Sequence, residues 1–592
     1  ELVGVLEKIF TSNLFDERFC SLDGLDEAKS ITQFELLDTL SQLPINLLIT
    51  SRPLHLLEDN VPTADHFSII LQDADIERLI EEKVRQIPTL KGLLANDEFK
   101  TWVVKAIIEK SSGMFLVASL QLDMLAVCVN VHGLRKAVET LPIGVEAMYQ
   151  TTMVRVEAHS QAATAKRALT WLVHGLKSLK MDDLRYAIAV DPETFEFDRE
   201  LLIDGPTLLS LCCGLVTFEP KSKLVRLVRK YYTAKDFLEP YLKREDPDPH
   251  KMMASTCVAR LLHFNLHKLE DEENYFDIFD ENPFFLPYSD DRWAEHSHLS
   301  VALPAPTRDF VFHCSRFPIC NKDGDFICTG SSLHVAAAYN FHELLEEWFH
   351  PSCHPADGSQ SQFPPPSPPD LDINARASDE STALILAADF SHAEAVRVLL
   401  NVEGIDVALG DRDGWTALIW AAGGGSLEIV EMLLAVVDMN HASSRNVAGC
   451  TALMLASSHG HVEVVKGLVR EEASFISECG EALVEAAWGG HQDIVETLLG
   501  VKGINVNHVL KDGITALMCA SANGHKSTVE MLLQHENIFI DYALPSGRTA
   551  LAYALKAAKH DIAELLRSHG AQEPSADIYK NFIHNDSIKW WD

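Results

Sequence analysis

Basic residues are scarce in this chain. Its 592 residues include 50 Lys and Arg against 86 Asp and Glu, a formal charge of −36. No Lys/Arg-rich run offsets the deficit, so the electrostatic footprint needed to bind nucleic acid or an anionic membrane surface is missing. The 12 cysteines are scattered and no C-x-x-C occurs, which fits reduced thiols in a cytoplasmic compartment better than a disulfide scaffold. No basic leader and no initial Met open the chain, which begins ELVGVLEKIF and reads as the start of a fragment. Long apolar runs are also missing. The most apolar stretch, 113–131, contains Gln121 and Asp123, so a buried helix is expected there rather than a membrane span. Finally, there is no G-x-x-x-x-G-K-[ST], no G-x-S-x-G and no H-E-x-x-H. The first absence removes the backbone cradle and Lys that hold nucleotide phosphates; the others remove two common hydrolase centres.

What the sequence does have is a repeat. The tripeptide TAL begins at Thr382, Thr416, Thr451, Thr515 and Thr549. The gaps are 34, 35, 64 and 34 residues, and a degenerate copy from Glu481 divides the long gap into 30 and 34. An earlier copy, SSLHVAAAYNFHELLEEWF, starts near Ser332, giving seven units. In each, the Thr is placed to cap a short helix. Small residues follow (Ala421 and Ala422, Ala456 and Ser457, Ala486 and Ala487), then a Gly-His type of turn, as at Gly460-His461, Gly490-His491 and Gly524-His525. A second helix follows with apolar residues at helical spacing, such as Ile429, Val430, Leu433 and Leu434.

Over about residues 325–572 this resembles the ankyrin repeat, whose period is about 33 residues. Two departures stand out. Ala replaces the family's Pro in each TPL position, and the family His survives only as His334. These put the usual inter-repeat hydrogen bonding in question, but not the stacking. The resemblance implies a protein partner in the concave groove. The positions expected to face it are Trp420, Leu455, Glu485, Trp488, Cys519 and Tyr553, with acidic Glu485 and Asp413 favouring a basic rim on the partner. The competing reading packs Trp420 and Trp488 inside the stack. An insert at 351–370 contains PPPSPP, which is either a solvated loop or a ligand for SH3 or WW domains.

The N-terminal part carries a different signal. An apolar run in FCSLDGLDEA ends at Asp23, with Asp26 and Glu27 behind it, and a second run, INLLITSRP, places Arg52 just after a strand. A carboxylate at a strand end can hold Mg²⁺ on a nucleotide, and an Arg can reach its γ-phosphate. In this order and spacing the pair resembles the Walker B motif and sensor arginine of NACHT-type NTPases. The segments 111–125 and 134–150 resemble the helices that follow that core in fungal NACHT–ankyrin proteins. The helix pair at 165–191 and the hairpin at 214–228 resemble their winged-helix domain, and 281–299 resembles their helical connection to the repeats. The winged-helix His that touches diphosphate in relatives is matched here by Tyr231, or by Lys230 after a one-residue shift.

The resemblance implies a multidomain, mostly α-helical chain: the end of a NACHT core at 1–60, a helical segment at 61–155, a winged-helix-like domain at 156–245, a helical linker at 246–324, ankyrin repeats at 325–572 and a tail at 573–592. It implies a cytoplasmic signalling scaffold of the innate-immunity kind, with self-association left open. No catalysis is expected from Asp23, Asp26, Glu27 and Arg52 without the phosphate loop, and ATP or ADP with Mg²⁺ only if that half is supplied. The alternatives are an NTPase switch whose phosphate-binding half lies outside this chain, and a plain ankyrin adaptor. Cys314, Cys320 and Cys328 with His313 and the cluster from His350 to His354 match no zinc spacing and read as loop and core residues. Tyr579, Lys580, Trp590 and Trp591 are expected to pack on the last repeat or fray.

Overall fold

The structure is a computed structural model. It describes the backbone of residues 19–23 and 46–50, and residues 73–582 apart from 112–113, 192, 229–233, 322–323, 350–370, 438–442, 471–475, 579 and 581. Asp26, Glu27, Arg52, Lys230, Tyr231, the Pro-rich insert, Tyr579, Trp590 and Trp591 therefore lie outside the described residues, as do His350 and its neighbours. The chain divides into two units, 1–188 with 202–247, and 189–201 with 248–592.

In the first unit, β1 (Phe19–Asp23) and β2 (Asn46–Thr50) pair in parallel, in a register that runs from Phe19 opposite Asn46 to Asp23 opposite Thr50. Among the described residues, five helices follow, at 73–86, 88–93, 97–111, 115–125 and 131–139. Their apolar residues recur at four-residue steps, Ile76–Ile80–Val84 and Phe99–Val103–Ile107, and these stripes close on Leu122 and Leu134 in one core. Asp123 is matched by Lys83, with Nζ 2.7 Å from Oδ1. Gln121 donates to the Pro142 carbonyl at 3.0 Å. Asp123 is thus paired within a helical cluster, while Gln121 is anchored there by its amide nitrogen and its buried Oε1 has no hydrogen-bond partner among the described residues. Among the described residues, no helix is long and apolar enough to cross a membrane.

Helices at 145–157, 162–174, 181–188 and 205–211 precede an antiparallel hairpin of β3 (Val216–Phe218) and β4 (Val225–Leu227). Lys180 bridges to Leu224 beside this hairpin, and Lys223 takes φ 58° in its turn. Asp204 accepts from the Thr207 amide at 3.0 Å and starts the helix before the hairpin. A last helix, 234–243, follows.

The second unit begins with helices 249–263, 274–281, 286–299 and 305–313. The segment expected to be a wholly helical linker ends instead in a hairpin, β5 (Phe317–Cys320) with β6 (Phe326–Gly330). Its strands are short apolar runs around NKDGD, where Gly324 takes φ 90°, so local turn chemistry overrides helix there. Trp293 is fully buried and sets its ring against Phe310, Phe317, Tyr339 and Phe341, tying these helices to the first repeat. Cys314 and Cys328 are buried in this region, and the Cys320 thiol lies 3.2 Å from the Tyr275 hydroxyl. Among the described residues, no group of three or more His, Cys, Asp or Glu is arranged to hold a metal ion.

Seven helix pairs then follow: 332–338 with 342–349, 383–389 with 393–400, 417–423 with 427–434, 452–459 with 462–470, 476–489 with 492–499, 516–523 with 526–533, and 550–556 with 560–568. The capping Thr residues behave as expected. Thr382, Thr416, Thr451, Thr515 and Thr549 each accept from the amide three residues on, at 3.3–3.4 Å. The fifth pair differs, because Glu481 stands where the Thr belongs. With no cap and no Asp-Gly turn before it, the helix starts six residues earlier than in the other repeats, at Ile476.

The inter-repeat hydrogen bonding that the missing histidines put in question is present, made by other residues. His334 does bridge repeats, from Nε2 to the Ala375 carbonyl at 3.0 Å. Elsewhere the His of the turn between the two helices takes over. His392 donates to the Ala338 carbonyl, His461 to Gly423, His491 to Ser458 and His525 to Trp488, at 2.9–3.0 Å. Each reaches back to the end of the preceding repeat's first helix, where carbonyls lack intrahelical partners. The turn glycines make room. Gly460 and Gly490 take φ 83° and 73°, and a Cβ on them would come within 2.8 Å of His491 and 2.4 Å of His525.

Candidate partner-binding groove

Four residues after each capping Thr, the first helix of the pair presents one side chain at the same register: Trp420, Leu455, Cys519 and Tyr553, with Glu485 equivalent in the Thr-less fifth repeat. The structure separates these six expected partner contacts into two groups. Trp420, Leu455 and Glu485 are partly buried and Trp488 is 43% exposed. Cys519 and Tyr553 are buried, 1% and 0% exposed, and Tyr553 is covered in this structure by Phe582. Cys519 is small enough to sink between its neighbours, and burial pushes its thiol well above the usual range.

Trp420 does not stand alone. Its ring stacks on Trp415 with centroids 4.5 Å apart, at 28°. Its indole Nε1 donates to Asp411 Oδ2 at 3.3 Å. Asp411 in turn accepts from the amides of Asp413 and Trp415 at 3.0 and 2.9 Å, an Asx-type turn that fixes the loop. Burial raises the Asp411 carboxyl above its ordinary pKa despite these donors. Two tryptophans thus form one stacked aromatic platform with a carboxylate at its edge. Trp415 and Asp411 were legible only as loop residues in the sequence, since nothing in the motif shows that the loop folds back over the helix.

Glu485 sits in an acidic stretch. Burial, then Asp512 and Glu481, raise its carboxyl pKa above the usual value. Glu481 is itself engaged by Arg445 at 2.7 Å. The exposed loop residue Asp413 gives its carbonyl to the Val447 amide at 2.8 Å, which leaves its side chain at the loop tip. Trp488 holds its place at the end of its helix because its carbonyl accepts from both Asn523 Nδ2 and His525 Nε2, at 2.8 and 3.0 Å.

The family model for ankyrin repeats matches three times, over residues 333–443, 434–509 and 483–577. Residues 333–577 are ankyrin repeats. The chain aligns with the ankyrin repeat and KH domain-containing protein mask-1 of Caenorhabditis elegans at 34% identity over 123 residues, which is 20% of this chain and 4% of that protein. Among solved structures, the human ASB11 ankyrin repeat domain matches with 21% identity and a TM-score of 0.33, covering 42% of this chain and all of that one. Asp23, of the four nucleotide-site candidates, is placed only as the last residue of β1, opposite Thr50.

Proposed function

We propose that the chain is a non-enzymatic protein-binding scaffold, and that its ankyrin repeats hold a basic segment of a protein partner in the groove of repeats three to five. The observation that carries this is the exposed indole of Trp488, fixed by two hydrogen bonds at its backbone and one helical turn beyond Glu485, which shares the register of Trp420 and feels the Glu481 and Asp512 carboxylates. Aromatic anchors in a charged surround bind by stacking on an arginine or lysine stem and by complementary charge. The test is capture by the full chain: a partner held through this groove is lost on Trp488→Ala and on Glu485→Lys while the fold survives.

The NACHT–ankyrin version of this reading adds a cytoplasmic signalling role. It is supported by the parallel β1–β2 pair ending at Asp23, and by three helices followed by a hairpin at 162–227 with the Lys180–Leu224 bridge, the order of a winged helix. In that version the chain turns over neither ATP nor GTP, because the phosphate loop motif does not occur in it. A plain ankyrin adaptor accounts for the groove equally well. Nucleotide binding by the purified chain, measured by calorimetry with MgADP, separates the two: weak binding that Asp23→Ala abolishes favours the NACHT version.

A further inference from the structure

The seventh repeat has a different cover over its groove position. Tyr553 occupies the register of Trp420 and Leu455, yet it is fully buried, and the C-terminal segment contributes to its burial. The ring of Phe582 stands edge-on to Tyr553, with centroids 5.3 Å apart at 79°. The guanidinium of Arg548, from the loop tip before Thr549, lies 4.5 Å from the Phe582 centroid, and the Lys556 ammonium lies 5.9 Å from it. Phe582 is 2% exposed. The chain reaches this point through the short helix Ala576–Ile578, and Ile578 packs against the loop at Gly547, where a Cβ would come within 3.4 Å of it.

The residues that grip Phe582 come from the loop tip and the first helix of the repeat, the elements that present the partner-contacting positions in earlier repeats. One aromatic ring in a seat of one tyrosine and two cations is a ligand-like arrangement, with edge-to-face and cation–π contacts rather than a broad apolar face. We infer that Phe582, reached through the Ala576–Ile578 helix, is an intramolecular ligand of the array, and that the Tyr553–Arg548–Lys556 seat accepts one aromatic side chain of a partner segment once Phe582 leaves it. This inference rests on the groove reading above and extends it to the end of the array. The seat is cationic where repeats three to five are acidic, so a single partner segment would bring basic residues to Trp488 and an aromatic residue to Tyr553.

The test uses the full chain and a fluorescein-labelled peptide of its own residues 574–592, read by anisotropy. With Phe582 in place the seat is filled, and the peptide binds weakly. Phe582→Ala opens it and is expected to tighten peptide binding at least tenfold; adding Arg548→Glu is expected to reverse the gain. A chain ending at residue 575 provides a second opened form, and thermal melts are expected to show that both remain folded. Equal peptide binding by wild type and both opened forms, or a gain that Arg548→Glu leaves intact, would overturn the inference. So would unfolding of both opened forms, which would make Phe582 a core residue. Partner capture through Trp420 and Trp488 is measured separately, so either reading can fail without the other.

Discussion

The imidazole of His491 donates from Nε2 to the carbonyl of Ser458, 2.9 Å away in the preceding repeat. Its ring also fills the space over Gly460, whose φ of 83° keeps that side open. One side chain therefore ends one repeat's first helix and begins its neighbour's second. His491→Ala removes the donor and leaves a helix-end carbonyl less well satisfied, so a loss of about 1–2 kcal/mol is expected in urea unfolding. Gly460→Ala strains the same contact from the other side and adds a left-handed alanine, with a comparable or larger loss.

The caps give a graded control. Thr451 is fully buried and accepts from the Met454 amide at 3.3 Å. Thr451→Ala is expected to cost about 1 kcal/mol and Thr451→Ser much less, because Ser keeps the accepting oxygen. Equal losses for both in the same unfolding experiment would show that the methyl group, rather than the cap, matters.

Asp290 makes stability depend on pH in an uncommon direction. Burial holds its carboxyl up at about 7, although the Tyr275 hydroxyl donates to it at 2.8 Å. The folded chain therefore binds a proton that the unfolded chain, titrating near 3.8, has already released. The contribution is fully present below about pH 4 and is lost as pH rises through about 7. Asp290→Asn keeps a neutral group there. It is expected to stabilise the protein at pH 8 by on the order of 1–3 kcal/mol, with little effect at pH 4. Melting temperatures of both proteins across this range check the sign.

Much of the repeat array was legible because its signals are local. A Thr before an apolar triplet, a small pair and a Gly-His turn each act within a few residues, so period and composition were enough to place the pairs. The early start of the helix at Ile476 was not legible, since it depends on a cap being absent rather than on a residue being present. The β5–β6 hairpin was missed for the opposite reason: its strands are four and five residues long, and the neighbouring helices dominate the pattern. For the groove, spacing gave the register but not the depth. Trp420 and Cys519 share a position in the motif. What differs is the loop in front of them, where Trp415 and Asp411 contact Trp420, while before Cys519 the position of Trp415 is taken by the buried Ile514. The contact of Phe582 with Tyr553 links residues 29 apart that no motif joins.

Two other tryptophans set the scale for truncation. Trp293 is fully buried among four aromatic rings, so Trp293→Ala is expected to cost roughly 3–5 kcal/mol and lower the melting temperature steeply. Trp488, with its indole exposed, is expected to lose less than about 1 kcal/mol on the same substitution.

The most direct measurement pairs that stability difference with binding. The protein captured by the full chain is titrated against wild type and Trp488→Ala at two salt concentrations, with melting temperatures recorded alongside. A groove that holds a basic segment on this indole predicts at least a tenfold weaker Kd for Trp488→Ala, weaker binding by wild type at high salt, and melting temperatures within about 2 °C of each other. An unchanged Kd for the variant, or a large drop in its melting temperature, would contradict the groove.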